Sequence, residues 1–225
     1  MKAGRYGARA LVVLPLLALA AGCSGFHSNA KAEQTYVLRA TATPGAASAA
    51  LPAALRVGAP GANPGLDTTH IVLVQPDHRM GFYTGSRWPA PAPALIGALT
   101  VQTLRASGNW ASVQDAASPF PTDFLLQLTL RRFEADYSSG AAVPEVHVVL
   151  DAVLGRRDAS DVVGSFEVTG TATATANRMG EVVSAFEQAT NTALAALAQQ
   201  TVTVVRASED APAQKALNPA PSSSR

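Results

Sequence analysis

The chain has 225 residues, 48% of them hydrophobic and 15% charged, which fits one globular domain with extensions, or two very small ones, and excludes a disordered chain. A formal net charge of +1 excludes the basic footprint of a nucleic-acid binder, so no nucleic-acid partner is expected. A single cysteine excludes an intrachain disulfide framework and any CxxC metal site.

Residues 1–22 have the layout of a secretory signal peptide. Lys2, Arg5 and Arg9 form a positive region, and an uncharged run follows from Ala10 to Ala21. That run is too short to span a hydrocarbon core of about 30 Å as a helix, and Pro15 interrupts its helical hydrogen bonding. The segment ends Leu19-Ala20-Ala21-Gly22-Cys23, small residues before a cysteine, which resembles a bacterial lipobox. The chemistry this implies is a diacylglycerol thioether on Cys23, cleavage before it, and acylation of the new amine, typically by palmitate. Two or three chains at about 0.8 kcal/mol per buried CH₂ anchor stably where one does not. Ser24, rather than Asp, resembles the outer-membrane-sorted class of Gram-negative lipoproteins. Cleavage removes three basic residues and no acidic one, leaving 14 basic and 16 acidic. A basic headgroup-binding patch is therefore not expected.

Residues 23–33 read as a lipidated tether, 34–206 as one domain, and 207–225 as a disordered tail rich in Ala, Pro and Ser. Within the domain, Tyr36-Val37-Leu38 and Leu55-Arg56-Val57 are short strand candidates, with a linker-like loop over Ala40–Pro52. His70–Gln75 reads as a buried strand and Met80–Thr84 as its partner, joined by the Pro76–Arg79 turn. Ala94–Ala106 carries a helical stripe that Ser107-Gly108-Asn109 stops. Trp110–Val113 is a further short strand candidate.

Phe124–Tyr137 is the clearest long strand. Phe124, Leu126, Leu128 and Leu130 share one face by period two, and Gln127, Thr129 and Arg131 the other. Val146–Leu154 and Val162–Thr175 alternate likewise, and the short loops between the three predict an antiparallel meander. From about Met179 to Gln200, apolar residues recur every three or four positions, predicting an amphipathic helix across one face of the sheet. The expected fold class is α/β: a single sandwich domain, with a mixed or antiparallel sheet and two main helices.

Lysines occur only at positions 2, 31 and 215, so the domain carries no phosphate-loop lysine and no Schiff-base lysine. GxSxG, GxGxxG after a strand, and HExxH are all missing, and no cofactor, metal site or catalytic residue is expected. His70 and His147 read as structural or surface histidines. Glu134 and Asp136 share a face and suit paired acid/base work, but a solvated strand end beside Arg131 and Arg132 is the better reading. Asp67 suits a turn or cap. Trp88 either packs over the first helix or, with Arg87, anchors a partner contact.

Cys23, Tyr36-Val37-Leu38, Gly65-Leu66-Asp67-Thr68-Thr69-His70-Ile71-Val72, Phe82-Tyr83 and Arg87-Trp88-Pro89 follow one another, with helix, long strands and helix behind them. This order resembles the ABC-type transport auxiliary lipoproteins, the family of paraquat-inducible protein C. The resemblance implies a non-enzymatic outer-membrane lipoprotein on the periplasmic side. It implies a partner of the mammalian-cell-entry (MCE) type in a system carrying lipids between two membranes, and a possible homo-oligomer. The alternative is a structural or assembly lipoprotein of another envelope complex, serving secretion or cell-wall synthesis; adjacent MCE, permease and ATPase genes separate the two.

Overall fold

The computed structural model describes residues 32–41, 50–158 and 161–217. Their strands are β1 (Gln34–Thr35), β2 (Leu51–Val57), β3 (Gly61–Ala62), β4 (His70–Val74), β5 (Met80–Arg87), β6 (Trp110–Gln114), β7 (Phe124–Asp136), β8 (Glu145–Arg156) and β9 (Asp161–Thr173). Two helices complete the set, α1 (Ala92–Ala106) between β5 and β6 and α2 (Met179–Leu217) at the end. The α/β class with a mixed sheet is as expected.

β7 organises the sheet. On one edge it pairs antiparallel with β8 along its whole length, and β8 pairs antiparallel with β9, which is the anticipated meander. The other edge receives three parallel strands end to end: β2 at Phe124–Leu126, β3 at Thr129–Leu130 and β4 at Ala135–Asp136. Backbone bonds Gly58 N–H to Leu126 O and Asn63 N–H to Leu130 O fill the gaps between them. β5 then adds antiparallel to β4, β1 parallel to β5, and β6 parallel to β2.

The register of β7 is the one period two gives. Leu126, Leu128 and Leu130 are fully buried, and Gln127 and Arg131 are exposed. A bulge between Leu130 and Arg132 then shifts the phase, so that Phe133 and Ala135 face the core. Opposite them, Val146, Val148, Leu150, Ala152 and Leu154 line the same layer from β8.

Both helices contribute to this one core. Pro91 enters α1, where a missing N–H costs nothing. Gly108, at φ +66°, follows the Ser107 C-cap. α2 lays Val182, Phe186, Ala189, Ala193, Leu197 and Val205 onto β8 and β9. The opposite face of the meander keeps Val153, Ser165, Glu167, Thr169 and Thr171 exposed.

Four boundaries differ from expectation by three residues or more. Tyr36–Leu38 is not a strand: pairing stops at Thr35, and Leu38 turns in to be buried. β2 begins at Leu51, inside the expected loop. β5 runs on to Arg87. α2 passes Gln200 and continues to Leu217, so residues 207–217 of the expected disordered tail are helical. The β-branched run Thr201–Val205 has weak helix propensity, but Val202 and Val205 are buried and this packing prevails. Once such a segment is fixed, extending it adds one bond per residue ordered.

Candidate functional site

Arg87 and Trp88 are neighbours in sequence with opposite environments. Trp88 is 1% exposed. Its ring lies 5.7 Å from Phe133 and 5.3 Å from Phe186, and those two are 5.0 Å apart, so one aromatic from β5–α1, one from β7 and one from α2 meet in the core. Trp88 is therefore not a partner contact: desolvated on all sides, it closes the core over the sheet, the competing role anticipated for it.

Arg87 is exposed and faces the incoming chain. Its guanidinium lies 3.3 Å from Glu33 Oε2 and 3.4 Å from Thr35 Oγ1, and its carbonyl accepts the Tyr36 N–H at 2.8 Å. The N-terminal segment is thus held at the sheet edge by backbone and side chain together. A second hold follows on α2. The Arg39 N–H donates to Glu187 Oε2 (2.9 Å), the Thr41 N–H donates to Asn191 Oδ1 (2.8 Å), and Asn191 Nδ2 donates back to the Arg39 carbonyl (3.1 Å). Sequence reasoning missed this strap; its trace is that Glu187 and Asn191 stand four apart on one face of the helix.

The two stretches that carry the family resemblance lie against each other. Trp88 N–H donates to the Thr69 carbonyl (2.7 Å) and Ala92 N–H to the Thr68 carbonyl (3.0 Å), so Gly65–His70 seats the start of α1. The turn's side-chain bond comes from Thr68 Oγ1, which accepts the His70 N–H at 3.1 Å, rather than from Asp67, which is exposed. His70 stacks beside Phe82 with ring centroids 5.0 Å apart.

Glu134 and Asp136 are not a solvated pair. Glu134 is buried beside the β7 bulge, where its carboxylate accepts from Arg132 Nε and from the Phe133 N–H at 2.8 Å. Arg132 also reaches Asp136 at 2.9 Å, while Arg131 turns to Asp151 at 2.8 Å. Burial acts to raise the Asp136 carboxyl, but hydrogen bonds from Ser138 and the Arg132 charge outweigh it and hold the group below its ordinary value. Both acids are committed to one guanidinium, an arrangement that fixes a strand end and is not poised for proton transfer. His147 Nε2 lies 3.3 Å from Glu145. Nearby, the Tyr83 and Tyr137 hydroxyls are 2.9 Å apart and Tyr137 donates to Asn177 Oδ1 at 2.7 Å; burial, then the Tyr137 bond, push the Tyr83 phenol up.

A groove of about 410 Å³ runs between α1 and the loop after β2, walled by Val57, Pro60, Ala98 and Val101 with Arg105 and Asp115 at one end. Among the described residues no group of three or more His, Cys, Asp or Glu side chains is placed to hold a metal. No described helix is long and apolar enough to cross a membrane. Cys23 lies outside the described residues.

The comparisons agree with this architecture. A crystal structure of a Xanthomonas campestris protein is similar at 25% identity and a TM-score of 0.72, covering 79% of this chain and 99% of its own. A second crystal structure, of an uncharacterized protein, matches at 15% identity and a TM-score of 0.60 over 76% of this chain and 99% of its own, which is a likeness of fold. No curated protein matches the sequence. The family model described as "ABC-type transport auxiliary lipoprotein component" matches residues 36–202, from the Tyr36 bond to Arg87 through Val202 on α2. The chain belongs to that family of auxiliary lipoproteins of ABC-type transport systems.

Proposed function

We propose that this protein is the outer-membrane-anchored, non-enzymatic subunit of an MCE-type lipid transport system, held by acyl chains on Cys23 with its domain in the periplasm. The observation that carries the proposal is the family match, which runs over residues 36–202, from the residue after β1 into α2, rather than over a local motif. In this reading the auxiliary subunit supplies binding surface and position, and another subunit couples energy to transport. Assembly of several copies belongs to the same reading.

The structure supports the anchoring half through the way the chain enters the domain. The Arg87–Glu33 pair, the β1–β5 pairing and the Glu187–Asn191 strap tie residues 33–41 to two separate elements, β5 and α2. The test is isolation of the mature, membrane-extracted protein. Mass spectrometry of its N-terminal peptide is expected to show an acylated Cys23, and co-purification is expected to recover an MCE-type protein. An unmodified Cys23 overturns the anchor; an acylated protein that brings down no MCE-type partner overturns the transport assignment.

A further inference from the structure

We propose that the groove between α1 and the loop after β2 binds one acyl chain of a zwitterionic phospholipid, with Arg105 on its phosphate and Asp115 on its ammonium. The inference deepens the transport reading and rests on it for the supply of lipid. The shape, lining and charge of the groove carry the site itself.

The groove follows α1. Ala94, Ala98, Val101 and Arg105 stand at intervals of four, three and four residues, on one stripe of the helix. At the rise of an α-helix, Arg105 lies about 16 Å beyond Ala94. Val57 and Val101 are buried and form the floor, and Ala94 and Ala98 are exposed along the rim. The volume of about 410 Å³ falls within the range of about 300–1,000 Å³ for small-ligand sites. A mostly apolar lining with a few polar groups at one end is also characteristic of such sites.

The wall opposite the helix is held by the sheet. Gly58 N–H donates to the Leu126 carbonyl at 2.9 Å, and Gln127 Nε2 donates to the Ala59 carbonyl at 2.9 Å. A Cβ on Gly97 would stand 3.0 Å from Pro60, so this glycine sets how near the loop comes to the helix. The groove is thus formed before a ligand arrives, which lowers the cost of binding.

One end carries both signs of charge. Arg105 Nε donates to the Val113 carbonyl at 2.9 Å, and Asp115 Oδ1 accepts the Ala117 N–H at 3.0 Å. These bonds orient the two side chains, and neither forms an ion pair with another described residue. The guanidinium matches a phosphate and the carboxylate an ammonium. The carbonyl end of α1 lies here too, and its partial negative charge favours an ammonium over a bare anion. A headgroup with both charges fits where a purely anionic one meets Asp115, and the apolar remainder of the groove takes a hydrocarbon chain.

The test uses the acylated full chain in vesicles containing phosphatidylethanolamine with a photoreactive diazirine on one acyl chain. Trypsin cuts after Arg56, Arg79, Arg87 and Arg105, so the two walls fall in the peptides Val57–Arg79 and Trp88–Arg105. The expected result is label concentrated in these two peptides. It is lost in Ala98→Trp, which fills the groove from its exposed rim, and kept in Gln199→Trp, an exposed α2 position outside it. Ala94→Phe, at a second rim position, repeats the block should Ala98→Trp lower the Tm. Phosphatidylglycerol with the same photoreactive chain is expected to label about two- to fivefold less, the factor one exposed ion pair supplies. The double variant Arg105→Gln with Asp115→Asn is expected to erase that difference. Label spread over the domain and insensitive to Ala98→Trp assigns it to general contact with the bilayer and overturns the site. Equal labelling of wild type by the two lipids overturns the pairing of Arg105 and Asp115 with the headgroup. A protein that recovers its MCE-type partner but takes no label in either peptide overturns the groove and leaves the transport reading standing. Label in the groove of a protein that recovers no such partner does the reverse.

Discussion

Gly170 of β9 lies directly beneath Ala189 of α2: a Cβ built on Gly170 would stand 1.9 Å from the Ala189 carbonyl oxygen. The helix backbone rests on the strand here, with no side chain between them. That approach lets the flanking Phe186 and Ala193 sink fully into the core. Gly170→Ala must push α2 off the sheet, and a loss of about 1–3 kcal/mol or more is expected. Gly61→Ala in β3, where a Cβ meets nothing within 4 Å, is expected to stay within about 0.5 kcal/mol. Urea unfolding of both variants checks the pair; equal midpoints would contradict the close packing.

Leu128 is fully buried in the middle of β7, opposite Ala152. Leu128→Ala is expected to cost about 2–5 kcal/mol. Gln127 faces solvent and donates to the Ala59 carbonyl at 2.9 Å, so Gln127→Ala is expected to cost about 0.5–1.5 kcal/mol. The order of these two losses in chemical denaturation reports the strand register. The reverse order would mean a slip of one residue.

Much of this layout was legible in the residues, and the failures share a cause. The meander could be read because period two survives wherever one face is buried, as it is at Leu126, Leu128 and Leu130. The bulge at Arg131 has no local signature; it is recognised only once Phe133 and Ala135 are seen facing inward and Glu134 is found buried. The three parallel strands on the far edge of β7 come from distant parts of the chain, and β3 is two residues long, too short to carry a period. In the sequence Arg87 and Trp88 read as one possible partner contact, and adjacency conceals that one residue holds the incoming chain and the other holds the core.

Trp88→Ala removes the centre of the Trp88–Phe133–Phe186 cluster and is expected to cost about 3–5 kcal/mol, seen as a large fall in Tm. Arg87→Ala removes an exposed ion pair, and a change of about 0–1 kcal/mol is expected. Its effect belongs elsewhere: amide exchange at Gln34–Tyr36 is expected to quicken while β7 and β8 keep their protection. Unchanged exchange at β1 would contradict the clamp.

Asp136 sets an acid limit. Its folded carboxyl is held below the ordinary 3.8, so its contribution is fully present above that value and is lost as pH falls through the lower, folded one. Asp136→Asn is expected to destabilise the protein at neutral pH. The gap between variant and wild type should narrow below about pH 4. Urea midpoints taken from pH 7 down to pH 2 test the sign. A gap that widens on acidification would mean the carboxyl is raised, not lowered.

The transport role is tested most directly by purifying the acylated protein from its own membranes under mild crosslinking and identifying what is joined to it. The expected result is an MCE-type protein crosslinked to the folded domain, retained in Arg87→Ala and lost when the domain is unfolded by Trp88→Ala at elevated temperature. Recovery of the acylated, folded protein without any MCE-type protein, or joined only to secretion or cell-wall synthesis components, would contradict it.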